Sequence, residues 1–278
     1  MLAKLLIIDP QNDFVGLDDG SPLAGRATLP VKGASSDLDR LAVMLRRTRS
    51  RLGDIVVTLD SHHPIDVAHP AMWRDRNNQP PKPFTLISAA DVRAGVWLPR
   101  LPSLRDRMIS YTEALEAAGK YQLIIWPEHC LVGTWGHSVY ENLMAELLEW
   151  ERAEFANVGW VTKGSNPYTE HYGGIMAEVP DPGDPTTQLN ADVLTALQEA
   201  DVVGIAGEAS SHCVLATVNQ VVANIGDDHL SKIHLITDCM SPVPAAPGTP
   251  DFPAIAAQFM RDMERRGLRL TTSGSFLK

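Results

Sequence analysis

Apolar residues along this chain follow two alternating rhythms. The short runs LLIID (5–9), IVVTLD (55–60), VGWVTK (158–163), VVGIA (202–206), IHLIT (233–237) and LRLTT (268–272) are β-rich and nearly continuous in apolar character, so they read as buried strands. Between them, apolar residues recur every three or four positions: Leu38, Leu41 and Leu45; Val139, Leu143 and Leu147; Val214, Val218, Val221 and Ile225; Ile255, Phe259 and Met263. Each set places one apolar stripe on a helix. Strands alternating with amphipathic helices predict an α/β fold, with a mainly parallel sheet covered by helices on both faces.

The alternation breaks once. Residues 64–122 contain NNQPP (77–81) and LPRLP (98–102), with a short helical piece expected over 112–120. A stretch of that length inside a compact domain is usually a lid, an active-site wall or an interface. No linker, repeat or low-complexity block divides the chain. One domain over 1–278, elaborated by an insertion at about 64–122, is therefore expected.

Composition narrows the function. Of 278 residues, 44% are hydrophobic and 21% charged, enough for a substantial core. A net charge of −10 argues against a nucleic-acid partner, since no basic excess exists to neutralise phosphates. The opening MLAKLLIIDPQNDF reaches Asp9 and Pro10 too soon for a secretory signal. No run approaches the roughly 18 apolar residues that crossing a membrane requires. Cys130, Cys213 and Cys239 are too few and scattered for a disulfide framework, so reduced thiols in a cytoplasmic setting are expected.

In a parallel α/β sheet, functional groups gather beyond the carboxyl ends of the strands. Asp9, Asp60 and Lys163 each close a strand, and the turn GEASSHC (207–213) follows another. Cys213 then opens a helix, where the dipole, exposed N–H groups and a nearby lysine would lower its pKa. A neighbouring carboxylate could accept its proton. Taken singly, each residue has a plainer reading. Cys213 beside Val214 could be a small buried hydrophobe. Asp9, with Gln11, Asn12 and Asp13, could form a turn before Pro10, and Lys163 could be a solvated loop cation. Their convergence on one sheet edge favours chemistry.

A second cluster lies in TLDSHHPIDVAHPAMW (58–73). Asp60 and His62, two apart in extended chain, point to one side and His63 to the other. His69 could fold back after the turn at Pro64. WPEHCLVGTWGHS (126–138) adds His129 between Trp126 and Trp135, with Cys130 expected to be structural. A carboxylate with imidazoles suits zinc, iron or manganese, although a histidine-rich loop can equally bind nothing.

These motifs, IDPQNDF, Asp60-x-His62, WPEHC with GTWG, Lys163-Gly164 and GEASSHC, together resemble the nicotinamidase branch of the isochorismatase-like cysteine hydrolases. They keep the family's order from the first strand to the Cys213 helix, and the segment around 80–121 lies outside the shared pattern. The resemblance implies a three-layer, Rossmann-like fold with a six-stranded parallel sheet in the order 3-2-1-4-5-6. It implies Cys213 as nucleophile, Asp9 as general base and Lys163 as electrostatic support. Asp60, His62 and His129 match the positions of metal ligands, with waters completing the shell of a divalent ion, zinc ahead of iron or manganese. His69 is a candidate additional ligand, displaced because the extra His63 precedes Pro64. A cis peptide is implied at Glu208–Ala209, with the N–H groups of Ala209 and Cys213 as an oxyanion hole. Phe14 and Trp126 would flank an aromatic ring.

The implied reaction is hydrolysis of a small carboxamide through a thioester, nicotinamide to nicotinate and ammonia first, by a homo-oligomer. A cysteine amidase acting on an N-carbamoyl or ureido compound is the runner-up. A metallohydrolase with an incidental thiol is the alternative from another class. Against a nucleotide-binding module stands the lack of Gly-x-Gly-x-x-Gly after the first strand, where Asp9 would repel phosphate.

Overall fold

The computed structural model describes residues 2–15, 25–119, 122–246 and 248–278. Six strands form one wholly parallel sheet: β1 (Ala3–Ile8), β2 (Leu52–Asp60), β3 (Gly159–Lys163), β4 (Val202–Gly207), β5 (Ile233–Ile236) and β6 (Arg269–Thr271). Their order across the sheet is 3-2-1-4-5-6, as expected. The described residues also form seven α-helices: α1 (Ala34–Thr48), α2 (Ala89–Ala94), α3 (Arg105–Ala117), α4 (Glu141–Glu154), α5 (Ala191–Glu199), α6 (Cys213–Asn224) and α7 (Phe252–Arg265). None is long and apolar enough to cross a membrane.

The central strand shows why its sequence is continuously apolar. Leu5 and Ile7 enter one core, Leu6 and Ile8 the other, and all four are buried. The Leu5 face meets Leu38, Leu41 and Leu45 of α1 and Leu143, Leu147 and Trp150 of α4. The Leu6 face meets Leu194 and Leu197 of α5, Val214 and Val218 of α6, and Phe252 and Phe259 of α7. Full burial of each such aliphatic side chain stabilises the fold by about 1.5–3 kcal/mol.

Gly204, in the middle of β4, has a packing reason. A Cβ there would stand 2.7 Å from Phe276 Cζ and 3.1 Å from Leu5 Cδ1. The missing side chain seats the phenyl ring of the carboxyl-terminal segment against the sheet. Gly204→Ala is expected to cost about 1–3 kcal/mol by overpacking. A urea midpoint equal to the wild type's would refute this account.

The described residues of 64–122 are more ordered than their sequence suggests. The helical piece expected over 112–120 is α3, which starts seven residues earlier at Arg105 and ends at Ala117; Lys120 lies outside the described residues. The helix buries Met108, Tyr111, Thr112 and Leu115 and little else, so its apolar stripe is thin. Two antiparallel ladders, Trp73–Arg74 with Leu98–Pro99 and Leu86–Ile87 with Leu123–Ile124, brace the segment. Ser88 and Asp91 cap α2 reciprocally. Val67, Met72, Trp73, Ile87, Val92 and Met108 join the same apolar cluster as Leu6, Ile8 and Val214. The segment is thus a packed wall on the α6 side of the sheet.

Candidate active site

Each strand tip delivers one functional side chain. Asp9 follows β1 directly, in a left-handed conformation at φ 42°. Its N–H donates to Thr58 O at 3.2 Å and Thr58 Oγ1 at 3.0 Å, while the Thr58 hydroxyl donates to Asp9 Oδ1 at 2.5 Å. Asp60 ends β2 and lies in register beside Lys163, the last residue of β3. Gly207 ends β4 at φ 113°, and a Cβ there would lie 2.0 Å from Ile8 O. Only glycine permits that approach, after which the Glu208–Ala209 peptide is cis and Cys213 opens α6.

Lys163 joins these tips. Its ammonium stands 2.9 Å from Asp9 Oδ2, 3.0 Å from Asp60 Oδ1 and 3.6 Å from Cys213 Sγ, and donates to His171 O at 2.9 Å. All four side chains are buried. Burial alone would lower the Lys163 pKa, but Asp60 and Asp9 carry it well above the usual lysine range. Burial likewise favours neutral Asp60, yet His62 and Lys163 hold it well below the carboxylate range. Asp9 behaves differently. Burial raises it despite Lys163, and the neighbouring Asp60 charge adds to the rise.

The thiol departs from the sequence expectation of a depressed pKa. Burial pushes Cys213 well above its ordinary value; Lys163 pulls it down, while Asp9 and Asp60 act with burial. One ammonium and a helix start do not outweigh desolvation beside two carboxylates. The thiol is therefore neutral at rest, and the nearby base that could take its proton has a raised proton affinity too.

Asp60 also faces a second group. Its Oδ2 lies 3.1 Å from His62 Nε2 and 3.3 Å from His129 Nε2. The three donor atoms fall within 4.8 Å of one another, all buried. His62 Nδ1 pairs with Asp66 Oδ2 at 3.0 Å and His129 Nδ1 with Pro127 O at 2.8 Å. Those contacts assign the proton of each neutral ring to Nδ1 and turn the Nε2 lone pair toward Asp60, the second-shell arrangement of metal-bound histidine. His62 Nε2 is buried, with Asp60 Oδ2 3.1 Å away. Burial opposes charge on His62, but Asp60 and Asp66 raise its pKa well above normal, so a cation would displace a proton there. Two imidazole nitrogens and a carboxylate oxygen, buried and converging, fit a divalent ion. The trio Asp9, Asp60 and Cys213 is equally close-set, but the Lys163 ammonium already holds its centre.

His69 stands behind this group. Its Nε2 lies 3.3 Å from His129 Nδ1 and its Nδ1 3.0 Å from His63 O. Burial and then His129 lower its pKa to about 3, so it is neutral. His63 is exposed, on the opposite side of the chain from His62. Cys130 is buried, its backbone N–H donating to Asp13 Oδ2 at 2.7 Å.

The acid and amide residues of the first motif tie these loops together. Gln11 pairs its side-chain amide with both backbone groups of Asp60 at 2.7 Å and donates to His137 O at 3.0 Å. Asn12 donates to Trp135 O at 2.9 Å. Residues that alone read as a turn therefore fix the loop carrying His129 against the end of β2.

A narrow, partly open cleft connects thiol and histidines, lined by Phe14, Asp60, Trp126, His129, Ala209 and Cys213 among others. Phe14 packs edge-on to His129, centroids 5.7 Å apart, and Trp126 donates to the Tyr172 hydroxyl at 2.9 Å. The 64–122 segment supports this wall, since Phe84 meets Trp126 edge-on at 5.8 Å. The cleft also recruits Leu29, Val31, Glu170, Tyr172, His212 and Val243, none of them singled out from sequence. His212 adjoins Cys213 and was legible by position; the others come from loops without a motif. Burial lifts the Glu170 carboxyl to about 8, and the pull of His62 does not offset it.

The chain matches no family model and no curated protein by sequence. Its fold matches solved structures. An Acinetobacter baumannii nicotinamidase/pyrazinamidase aligns with a TM-score of 0.62 at 18% identity, over 99% of this chain and 98% of that one. The yeast nicotinamidase Pnc1p bound to the inhibitor nicotinaldehyde aligns with a TM-score of 0.63 at 17% identity, over 98% and 100%. A Pyrococcus horikoshii pyrazinamidase in complex with zinc aligns with a TM-score of 0.55 at 16% identity, over 98% and 99%. The chain has the fold that these structures share.

Proposed function

We propose that this protein is a metal-containing cysteine amidase that hydrolyses a small carboxamide, nicotinamide to nicotinate and ammonia. One observation carries the reading: a single buried ammonium lies within 3.6 Å of Asp9, Asp60 and Cys213, linking a thiol and its base to a carboxylate that also faces two imidazoles. The shared fold of the nicotinamidase structures supports it.

Asp9 takes the thiol proton as Cys213 Sγ attacks the carboxamide carbon, forming a C–S bond. The N–H groups of Ala209 and Cys213 receive the resulting oxyanion. Asp9 returns its proton to the amide nitrogen, the C–N bond breaks, ammonia departs and a thioester remains. Asp9 then takes a proton from water, whose oxygen attacks the same carbon; the C–S bond breaks and Cys213 regains its proton. Lys163 stays protonated and compensates the negative charge that moves between sulfur and carboxylate. Phe14 and Trp126 flank the ring of the substrate. Asp60, His62 and His129 would hold the divalent ion, zinc foremost, which supplies an electrophilic point that fixes a ring nitrogen of the substrate.

Ammonia release from nicotinamide, pyrazinamide and an N-carbamoyl amino acid tests the reading. Nicotinamide is expected to be turned over fastest. Chelation is expected to lower its rate about 10²-fold, because a substrate without its anchor loses alignment with the thiol, and zinc is expected to restore it. Turnover of the carbamoyl compound alone, indifferent to chelator, would instead favour the metal-independent amidase.

A further inference from the structure

We infer that Glu170 is an outer-sphere residue of the cation site, placed by Tyr111 of the inserted segment to accept a hydrogen bond from a water on the bound ion. The inference rests on the cation site proposed above and adds two residues to it.

Glu170 is 4% exposed, and its Oε2 has no hydrogen-bond partner among the described residues. The rest of the residue is pinned. Its Oε1 accepts the His171 N–H at 3.2 Å, its own N–H donates to the Tyr111 hydroxyl at 3.1 Å, and its carbonyl accepts the Glu178 N–H at 2.9 Å. The side chain lines the same cleft as Asp60, His129 and Cys213. It stands outside the three-donor group whose atoms lie within 4.8 Å of one another, so direct ligation is not the arrangement present. A buried carboxyl oxygen left unpaired costs about 1–3 kcal/mol, and a water shared with the ion removes that cost. Tyr111, itself 4% exposed, comes from α3, so α3 reaches Glu170 through this hydroxyl.

The test is zinc affinity, measured by competition with a chromophoric chelator on the metal-depleted full-length chain. Glu170→Gln keeps the size and an acceptor for the His171 N–H, so the melting midpoint of the metal-free protein is expected to stay near the wild type's. Its zinc affinity is expected to fall about 10–100-fold, the range for losing an outer-shell partner. Tyr111→Phe, which leaves Glu170 in place but frees its backbone, is expected to lose affinity by a smaller factor. Wild-type zinc affinity in Glu170→Gln overturns the inference while leaving the cation site standing. A wild-type chain that binds no zinc removes both. Should Glu170→Gln fail to fold, Tyr111→Phe decides, and unchanged affinity there overturns the proposal.

Discussion

Cys213→Ala is expected to lower kcat/KM for amide hydrolysis by at least about 10⁴-fold, the scale on which removal of a nucleophile acts in covalent hydrolases. The argument starts from position. Cys213 Sγ lies 3.6 Å from the Lys163 ammonium, which lies 2.9 Å from Asp9 Oδ2, and the thiol faces the cleft. No other described cysteine shares that setting: Cys130 and Cys239 are buried outside the cleft. The substitution removes one sulfur from a site with room for alanine, so the thermal midpoint is expected to move little. Mass spectrometry of the wild type quenched in turnover is expected to reveal an acyl adduct on the Cys213 peptide, absent from the variant. Retention of most activity in Cys213→Ala would eliminate thioester chemistry and transfer the reaction to the Asp60–His62–His129 group.

The parts legible in the sequence were those with a period or a fixed relation to a strand end. β1, β2, β4 and β5 announced themselves because buried parallel strands are apolar on both faces; β3 and β6, expected to be buried too, are the sheet edges and leave Trp160 and Leu270 exposed, and the strand order followed from the resemblance. Boundaries moved by up to three residues, as at Leu52, where β2 extends toward the polar Gly53 and Asp54. His62 and His63 separated as strand alternation requires, one buried and one exposed. What stayed hidden depends on tertiary placement. The ladder of Trp73–Arg74 with Leu98–Pro99 is too short to leave a period. Glu170 and Tyr172 sit in a loop without apolar rhythm, and nothing in their spacing says that one faces the cleft and the other caps Trp126. The raised thiol pKa is hidden for a related reason: sequence shows the helix start and the lysine but not the depth of burial or the second carboxylate.

Lys163→Met is expected to destabilise the metal-free protein by about 3–5 kcal/mol, since removing one partner of a buried ion pair strands the other. Here two carboxylates are stranded, Asp9 at 2.9 Å and Asp60 at 3.0 Å from the ammonium, in a chain where Lys163 is 1% exposed. The loss carries a pH signature. Burial already raises Asp9, and Lys163 is the strongest force opposing that rise. Without it the folded-state pKa of Asp9 climbs further above the unfolded value. A carboxyl that binds its proton more tightly when folded favours the fold below the unfolded pKa and loses that contribution as pH rises toward the folded pKa. The deficit of Lys163→Met is therefore expected to be smaller near pH 5 than near pH 8, read from urea midpoints at the two values. Asp9→Asn added to Lys163→Met removes one stranded charge, so part of the stability is expected to return at pH 8 while amide hydrolysis stays absent. That split separates holding the strand tips together from moving a proton between them. A deficit independent of pH, or a double variant no more stable than Lys163→Met, would show that the lysine acts through packing alone.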